Sequence, residues 1–278
     1  MAGYIRRDQV AGMNIHYLYY SLDYFLDTQA ELGFESIELW GAAPHFYLSP
    51  EGYEDVAPVA KKLADRGLTI RCFTPENCTY QYQFAAQTPL LFEKSFQYFS
   101  NGLEVAAELG SPLMQCNSGW GYWHGDREEA WKRSSEMLSR LADRAGELGV
   151  TMVMESLRPQ ESQLVTTLAD AKRMFDEVNH PNFKILIDTV AMSVAGETIQ
   201  DWFDVFGSDV RHMHFVDCNP YGHLVWGDGN RDLEAWCQVL VDNGYEGFLG
   251  QEITDGKYYD DPREADRQNM EHYQRVFV

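Results

Sequence analysis

Three times in this chain a helix-like run ends in Leu-Gly and passes at once into a strand-like run: Leu32-Gly33-Phe34, Leu109-Gly110-Ser111 and Leu148-Gly149-Val150. Glycine stops a helix at such a place because it enters the left-handed backbone region without steric cost. Around these joints, short apolar runs alternate with longer amphipathic ones along the whole length. That alternation calls for parallel strands linked by helical crossovers. Strands are expected over 10–15, 36–40, 68–74, 113–116, 150–155, 183–188, 210–217 and 247–252, and helices over 21–32, 53–66, 90–109, 127–148, 168–178, 197–206, 232–243 and 262–276. Eight of each in 278 residues fits an α/β fold of the (β/α)8 barrel type, which takes about 250 residues. No linker or low-complexity stretch divides the chain, so residues 1–278 read as a single domain. A doubly wound open sheet would carry a glycine-rich phosphate turn after an early strand, and none is present.

Four consecutive strands offer an ionisable group at or near their carboxyl ends: Glu155, Asp188, His214 and Glu252. In a barrel, residues at those ends converge on the face where active sites are built. A strand-end acid alone is as readily a partner for a helix N-terminus, and a lone strand histidine is more often a satisfied core residue. Four in succession are another matter. Three carboxylates and an imidazole in one pocket repel one another unless a cation sits among them. Mixed carboxylate and imidazole donors suit one divalent ion, Mn2+, Co2+, Ni2+ or Fe2+, with Mg2+ and Zn2+ also open.

Charge narrows the partners. The net charge is −21 with no lysine- or arginine-rich run, which argues against nucleic acid, because phosphate affinity needs clustered cations. No stretch approaches the roughly 18 apolar residues of a membrane span, and the start, Met1 to Asp8, has no apolar signal core. Five cysteines without a CxxC pair read as reduced thiols. A cytoplasmic location is expected.

The residues resemble the xylose-isomerase-like barrels of sugar isomerases and 3-epimerases, most of all fructoselysine 3-epimerases and, more distantly, tagatose and psicose (allulose) 3-epimerases. The carrying stretches are Ile37-Glu38-Leu39-Trp40-Gly41 with Pro44-His45, Thr74-Pro75-Glu76, Glu155 with Glu161, and Asp188. Further along they are Arg211-His212-Met213-His214 with Val216-Asp217, Gly227-Asp228-Gly229, and Gly247-Phe248 leading to Glu252. The resemblance implies that Glu155, Asp188, His214 and Glu252 hold the metal, usually Mn2+ or Co2+, and that Glu155 and Glu252 are also the catalytic acid–base pair. The ion would hold the charge of an enediolate while one carboxylate removes the C3 proton and the other returns it to the opposite face. Glu161 matches a glutamate that binds substrate hydroxyls. His45 and His223 match histidines of the fructoselysine-epimerase pattern, and Trp40, Trp120, Tyr122, Trp123 and Trp226 are candidates for a sugar-stacking wall. Taken singly, a loop glutamate is more often a solvated charge and an aromatic side chain more often simple packing.

Two departures bear on the substrate. The free-ketohexose epimerases carry a histidine where this chain has Ala191 and an arginine where it has Pro220; the fructoselysine type lacks both. A small sugar is therefore expected as the partner molecule, as a ketose or a C1-substituted ketose, with Asp217, Asp228 and Asp255 available to attract an ammonium. A homo-oligomer, dimer or tetramer, stays open. The competing functions are a sugar or hydroxypyruvate isomerase, an inosose-type dehydratase, and one subunit of a C-glycoside-cleaving complex. A nuclease like the apurinic-site endonucleases would need extra histidines and a phosphate-friendly surface.

Overall fold

A computed structural model describes residues 4–78 and 81–278. Residues 1–3 of the expected single domain, and residues 79 and 80 between the strand expected over 68–74 and the helix expected over 90–109, lie outside the described residues. Eight parallel strands form a closed barrel with helices between them. Its strands are β1 (Val10–Met13), β2 (Ser36–Gly41), β5 (Thr69–Pro75), β6 (Leu113–Cys116), β7 (Thr151–Glu155), β8 (Phe183–Asp188), β9 (Val210–His214) and β12 (Phe248–Gln251). Two small hairpins account for the remaining strands: β3 (Leu48–Ser49) with β4 (Gly52–Tyr53), and β10 (Asp217–Asn219) with β11 (Tyr221–Leu224). The chain divides into two compact units.

The first unit comprises Met1–Leu39, Ala57–Arg71 and Ile187–Val278. Here β12 is central, pairing with β1 through Ala11 and Gly250 and with β9 through His214 and Gly250. Helices α1 (Leu22–Leu32), α2 (Ala57–Asp65), α6 (Thr189–Ala195), α7 (Ile199–Phe206), α8 (Leu233–Asp242) and α9 (Pro262–Tyr273) belong to it. Ser21 caps α1 by accepting from the Tyr24 N–H, and Gly33 ends it at φ 82°. A buried polar knot ties α9 down: Asp266 accepts from Tyr17 Oη at 2.6 Å and Gln29 Nε2 at 2.5 Å, with His16 Nε2 3.0 Å away. Such a knot holds only because each oxygen has donors, since an unpaired buried carboxylate would be costly.

The second unit comprises Trp40–Val56 and Cys72–Leu186. In it β5, β6, β7 and β8 pair in sequence order. Its helices are α3 (Pro89–Leu109), α4 (Arg127–Leu148) and α5 (Leu168–Val178). Thr88, Asp126 and Thr167 cap them through side-chain oxygens, supplying acceptors for N–H groups that have none inside the helix. Gly110 and Gly149 stop α3 and α4 at φ 72°, so these two Leu-Gly joints, like Gly33, work as expected.

Several boundaries differ from expectation. The helix expected over 53–66 is only Ala57–Asp65, because Gly52 and Tyr53 pair with Leu48 and Ser49. The strand expected over 210–217 stops at His214, and Asp217 begins a hairpin instead. An unexpected helix, α6, starts at Thr189 because the Asp188 side chain accepts from the Val190 N–H. The five cysteines form no disulfide. Among the described residues no helix is long and apolar enough to cross a membrane.

Candidate active site

The first unit gathers three of the four expected metal ligands. Asp188 closes β8, His214 closes β9, and Glu252 follows β12. Asp188 and His214 are buried, and Glu252 is partly open to solvent. His214 Nδ1 lies 3.2 Å from Glu252 Oε2. His223, on β11, places Nε2 3.1 Å from that same oxygen and 3.1 Å from Asp188 Oδ2. The helix-capping reading of Asp188 is also true, for Oδ1 accepts from the Val190 N–H at 2.8 Å. One oxygen starts α6 and the other faces the site.

Glu155, the fourth residue, closes β7 in the second unit and is buried. Its Oε2 accepts from Gln115 Nε2 at 2.6 Å. A line of amides continues behind it, since Asn77 Nδ2 donates to Gln115 Oε1 at 2.5 Å and Asn117 Nδ2 to Asn77 Oδ1 at 2.9 Å. Each amide is fixed by the next, so the carboxylate is held in one orientation. Nothing in the periodicity of the sequence marks Gln115 or the two asparagines.

Glu38 was expected only as part of a family motif, yet it organises the buried side of the site. Its carboxylate is fully buried, with Oε2 2.7 Å from His212 Nε2 and Oε1 3.1 Å from His214 Nε2. Burial by itself would raise this carboxyl, but the two imidazoles outweigh it and hold Glu38 well below the usual carboxylate range. An ionised acceptor requires a proton of His214 on Nε2, which leaves Nδ1 as the nitrogen that faces Glu252. The close fit needs Gly250, where a Cβ would stand 2.1 Å from Glu38 Oε2. Both His212 nitrogens are spent, because Nδ1 lies 3.1 Å from the Phe248 carbonyl oxygen. Replacing Glu38 with leucine leaves two buried imidazoles without their acceptor, at a cost of about 3–5 kcal/mol. At roughly 2–4 °C per kcal/mol for a chain of this size, Tm is expected to fall by about 10 °C or more. Calorimetry of the metal-free variant checks this, and an unchanged Tm would refute it.

Burial would lower the His223 imidazole, but Asp188 and Glu252 outweigh that and raise it to about 10. Burial would raise Glu252, and His214 and His223 instead carry it below its usual range. These opposed shifts belong to one cluster of charges, and His223 Nδ1 is buried in it with no partner among the described residues.

The other expected contacts separate into two groups. In the second unit, Glu161, Trp120, Tyr122 and Trp123 line a cavity of about 370 Å3 together with Asn77, Cys78, Asn117 and Gln160. Trp123 is 69% exposed there, and the buried Trp120 Nε1–H has no acceptor among the described residues. The Glu161 carboxylate is clasped by Arg158 through its backbone N–H at 2.9 Å and its guanidinium. Trp40 donates to Glu76 at 2.9 Å and meets the buried His45 edge to face. Trp226, by contrast, is a core residue at 1% exposure, its indole N–H bound to Tyr273 Oη at 3.0 Å. It does not belong to a stacking wall. Asp217 is likewise not a mouth residue: it is 1% exposed and accepts from Gly227, Gly229, Arg231 and Cys218 N–H groups. Ala191 is buried in α6, and Pro220 is exposed at the hairpin tip.

A parallel barrel with carboxylates and imidazoles at its strand ends defines a class of enzymes that work at the carboxyl-terminal face. The family pattern described as Xylose isomerase-like TIM barrel matches residues 26–276, and the chain belongs to that family. It is 26% identical over 252 residues to a fructoselysine 3-epimerase of Escherichia coli O157:H7, covering 89% of this chain and 90% of that one. It is 23% identical over 250 residues to a D-psicose 3-epimerase of Ruminiclostridium cellulolyticum, covering 86% and 82%. The crystal structure of a D-psicose 3-epimerase with D-tagatose from Clostridium cellulolyticum H10 superposes with a TM-score of 0.79 at 20% identity, covering 96% of this chain and 98% of that one. The protein is an enzyme of the epimerase type.

Proposed function

We propose that this single-domain protein is a divalent-metal-dependent 3-epimerase of a ketose or a C1-substituted ketose. The observation that carries the metal half is the approach of His214 Nδ1 and His223 Nε2 to one oxygen of Glu252, with Asp188 beside them. Donors 3.1–3.2 Å apart fit a shared cation, since neighbouring ligands of a six-coordinate ion with bonds of about 2.1 Å lie ~3 Å apart. Glu155, Asp188, His214 and Glu252 would hold the ion; Mn2+ or Co2+ suits this donor set, with Ni2+, Fe2+, Mg2+ and Zn2+ as alternatives. When bound, it supplies Lewis-acid stabilisation of negative charge next to the reacting carbon.

The chain's own residues do the proton work. Glu155, oriented by the Gln115 amide, and Glu252, oriented by two imidazoles, act as the acid–base pair, one removing the C3 proton and the other delivering a proton to the opposite face. Glu161, His45, Trp40 and Trp123 contact the sugar, and His223 is left only Nδ1 for such a contact. The names of the curated relatives support epimerisation at C3. A location in the cytoplasm and assembly into a dimer or tetramer remain part of this proposal.

The deciding experiment is a ketose panel in D2O read by NMR, with fructoselysine, a neutral C1-substituted ketose, free fructose and fructose 6-phosphate. Deuterium at C3 with inversion there is expected, and proton movement to a neighbouring carbon or loss of water would replace this reading with an isomerase or dehydratase. The phosphate is expected to be the poorest of the four by kcat/KM. The cations of the two last barrel loops are already engaged: Lys257 pairs with Asp228 at 3.1 Å, and Arg231 packs against Cys218 and Trp236. Fructoselysine is expected to exceed free fructose, because Ala191 and Pro220 provide no donors for a free reducing end. Asp255 is available to attract its ammonium, an effect of about 1 kcal/mol or less at an exposed pair, while Asp228 is already held by Lys257 and Tyr258. Equal or better turnover of fructose would defeat the C1-substituted reading.

A further inference from the structure

We propose that His223 is a second imidazole ligand of the metal centre, delivered by the β10–β11 hairpin. The inference rests on the metal-dependent reading above and adds a fifth protein donor to it. His223 is 4% exposed, and Nε2 stands 3.1 Å from one oxygen of Asp188 and one of Glu252. Its Nδ1 has no partner among the described residues, and Nε2 is the nitrogen turned to the ligand oxygens. Here Nε2 takes the same relation to Glu252 Oε2 that His214 Nδ1 does, at 3.1 against 3.2 Å. The two nitrogens flank one carboxylate oxygen as neighbouring donors of a common ion do.

The hairpin that carries His223 is built to hold it there. Asp217 at the start of β10 collects four backbone N–H groups, including those of Gly227, Gly229 and Arg231 beyond the end of β11. A Cβ on Gly229 would stand 2.2 Å from Asp217 Oδ1, so the return of the loop passes as close as glycine permits. Asp217 pairs in register with Leu224, directly after His223. A loop clamped at both ends fixes the imidazole without help from substrate, which is what a resident ligand requires. His212 is no rival for the role, because both its nitrogens are committed to Glu38 and Phe248. Five protein donors would leave a six-coordinate ion one position open instead of two.

The test is pulsed EPR of the full-length protein loaded with Mn2+, counting nitrogen couplings, alongside Mn2+ titration of wild type, His223→Ala and His223→Gln. Two imidazole nitrogens are expected in the wild type and one in each variant, with Mn2+ affinity at least 10-fold weaker; the loss of even an indirect partner costs ~10–100-fold. A single imidazole in the wild type, or two retained in the variants, would overturn the assignment while leaving the metal-dependent reading intact. No uptake by the wild type of Mn2+, Co2+, Ni2+, Fe2+, Mg2+ or Zn2+ would overturn both together. If neither variant folds, the wild-type count decides alone.

Discussion

Glu252→Gln and Glu155→Gln are each expected to reduce epimerisation by ~10²–10⁴, the range supplied by a positioned proton-transfer group. The amide keeps the shape and one oxygen of each side chain but cannot take up the C3 proton. The two losses should differ in kind. With one carboxylate left, the surviving group still removes a proton from its own face and returns one there. One variant is thus expected to exchange the substrate's C3 hydrogen for deuterium without inversion, and the substrate handedness that exchanges tells which face the survivor serves. Because both residues are also assigned to the metal, each variant is measured at saturating Mn2+ with metal content determined in parallel. Normal turnover with metal bound in both variants would remove the pair from the mechanism.

Stripping the metal is expected to abolish activity and to lower stability in the same step. The cluster of Asp188, His214, His223 and Glu252 places two carboxylates and two imidazoles in a confined space. An ion that binds the folded chain alone stabilises it by about 4 kcal/mol at a thousand-fold excess over its Kd. For a chain this long, that is roughly 10 °C of Tm. Dialysis against EDTA, followed by return of Mn2+, Co2+ or Ni2+, should therefore move kcat and Tm together. Full activity in protein shown by elemental analysis to be metal-free would end the metal-dependent reading. A gain in Tm without a gain in activity would keep the ion and make it structural.

The barrel was legible because its signals are local and repeated. Helix ends at Gly33, Gly110 and Gly149 follow from one residue's backbone freedom, and the strands at 113–116 and 183–188 and the helices at 127–148 and 168–178 fell where alternation put them. The strand-end residues Asp188, His214 and Glu252 could also be named in advance, since parallel connectivity forces strand ends to one face. Two of the boundaries that moved were each decided by hydrogen bonds to one side chain. One side-chain oxygen of Asp188 made a helix at Thr189 where none was expected, and four N–H groups on Asp217 turned the expected end of a strand into a hairpin.

What the sequence alone determined, then, is the order of strands and helices, the barrel they close, and the kinds of group offered at the strand ends. These depend on periodicity and on residue chemistry read a few positions at a time. Only the tertiary structure decided how those groups are held. Glu38 meets His212 and His214 across 174 and 176 residues of chain, and Gln115 reaches Glu155 across 40. His223 arrives between Asp188 and Glu252 on a hairpin that has no periodic signal. Contacts of that span leave no local trace, because each partner is an ordinary polar residue until the fold removes water from around both and turns each into an acceptor or donor for the other.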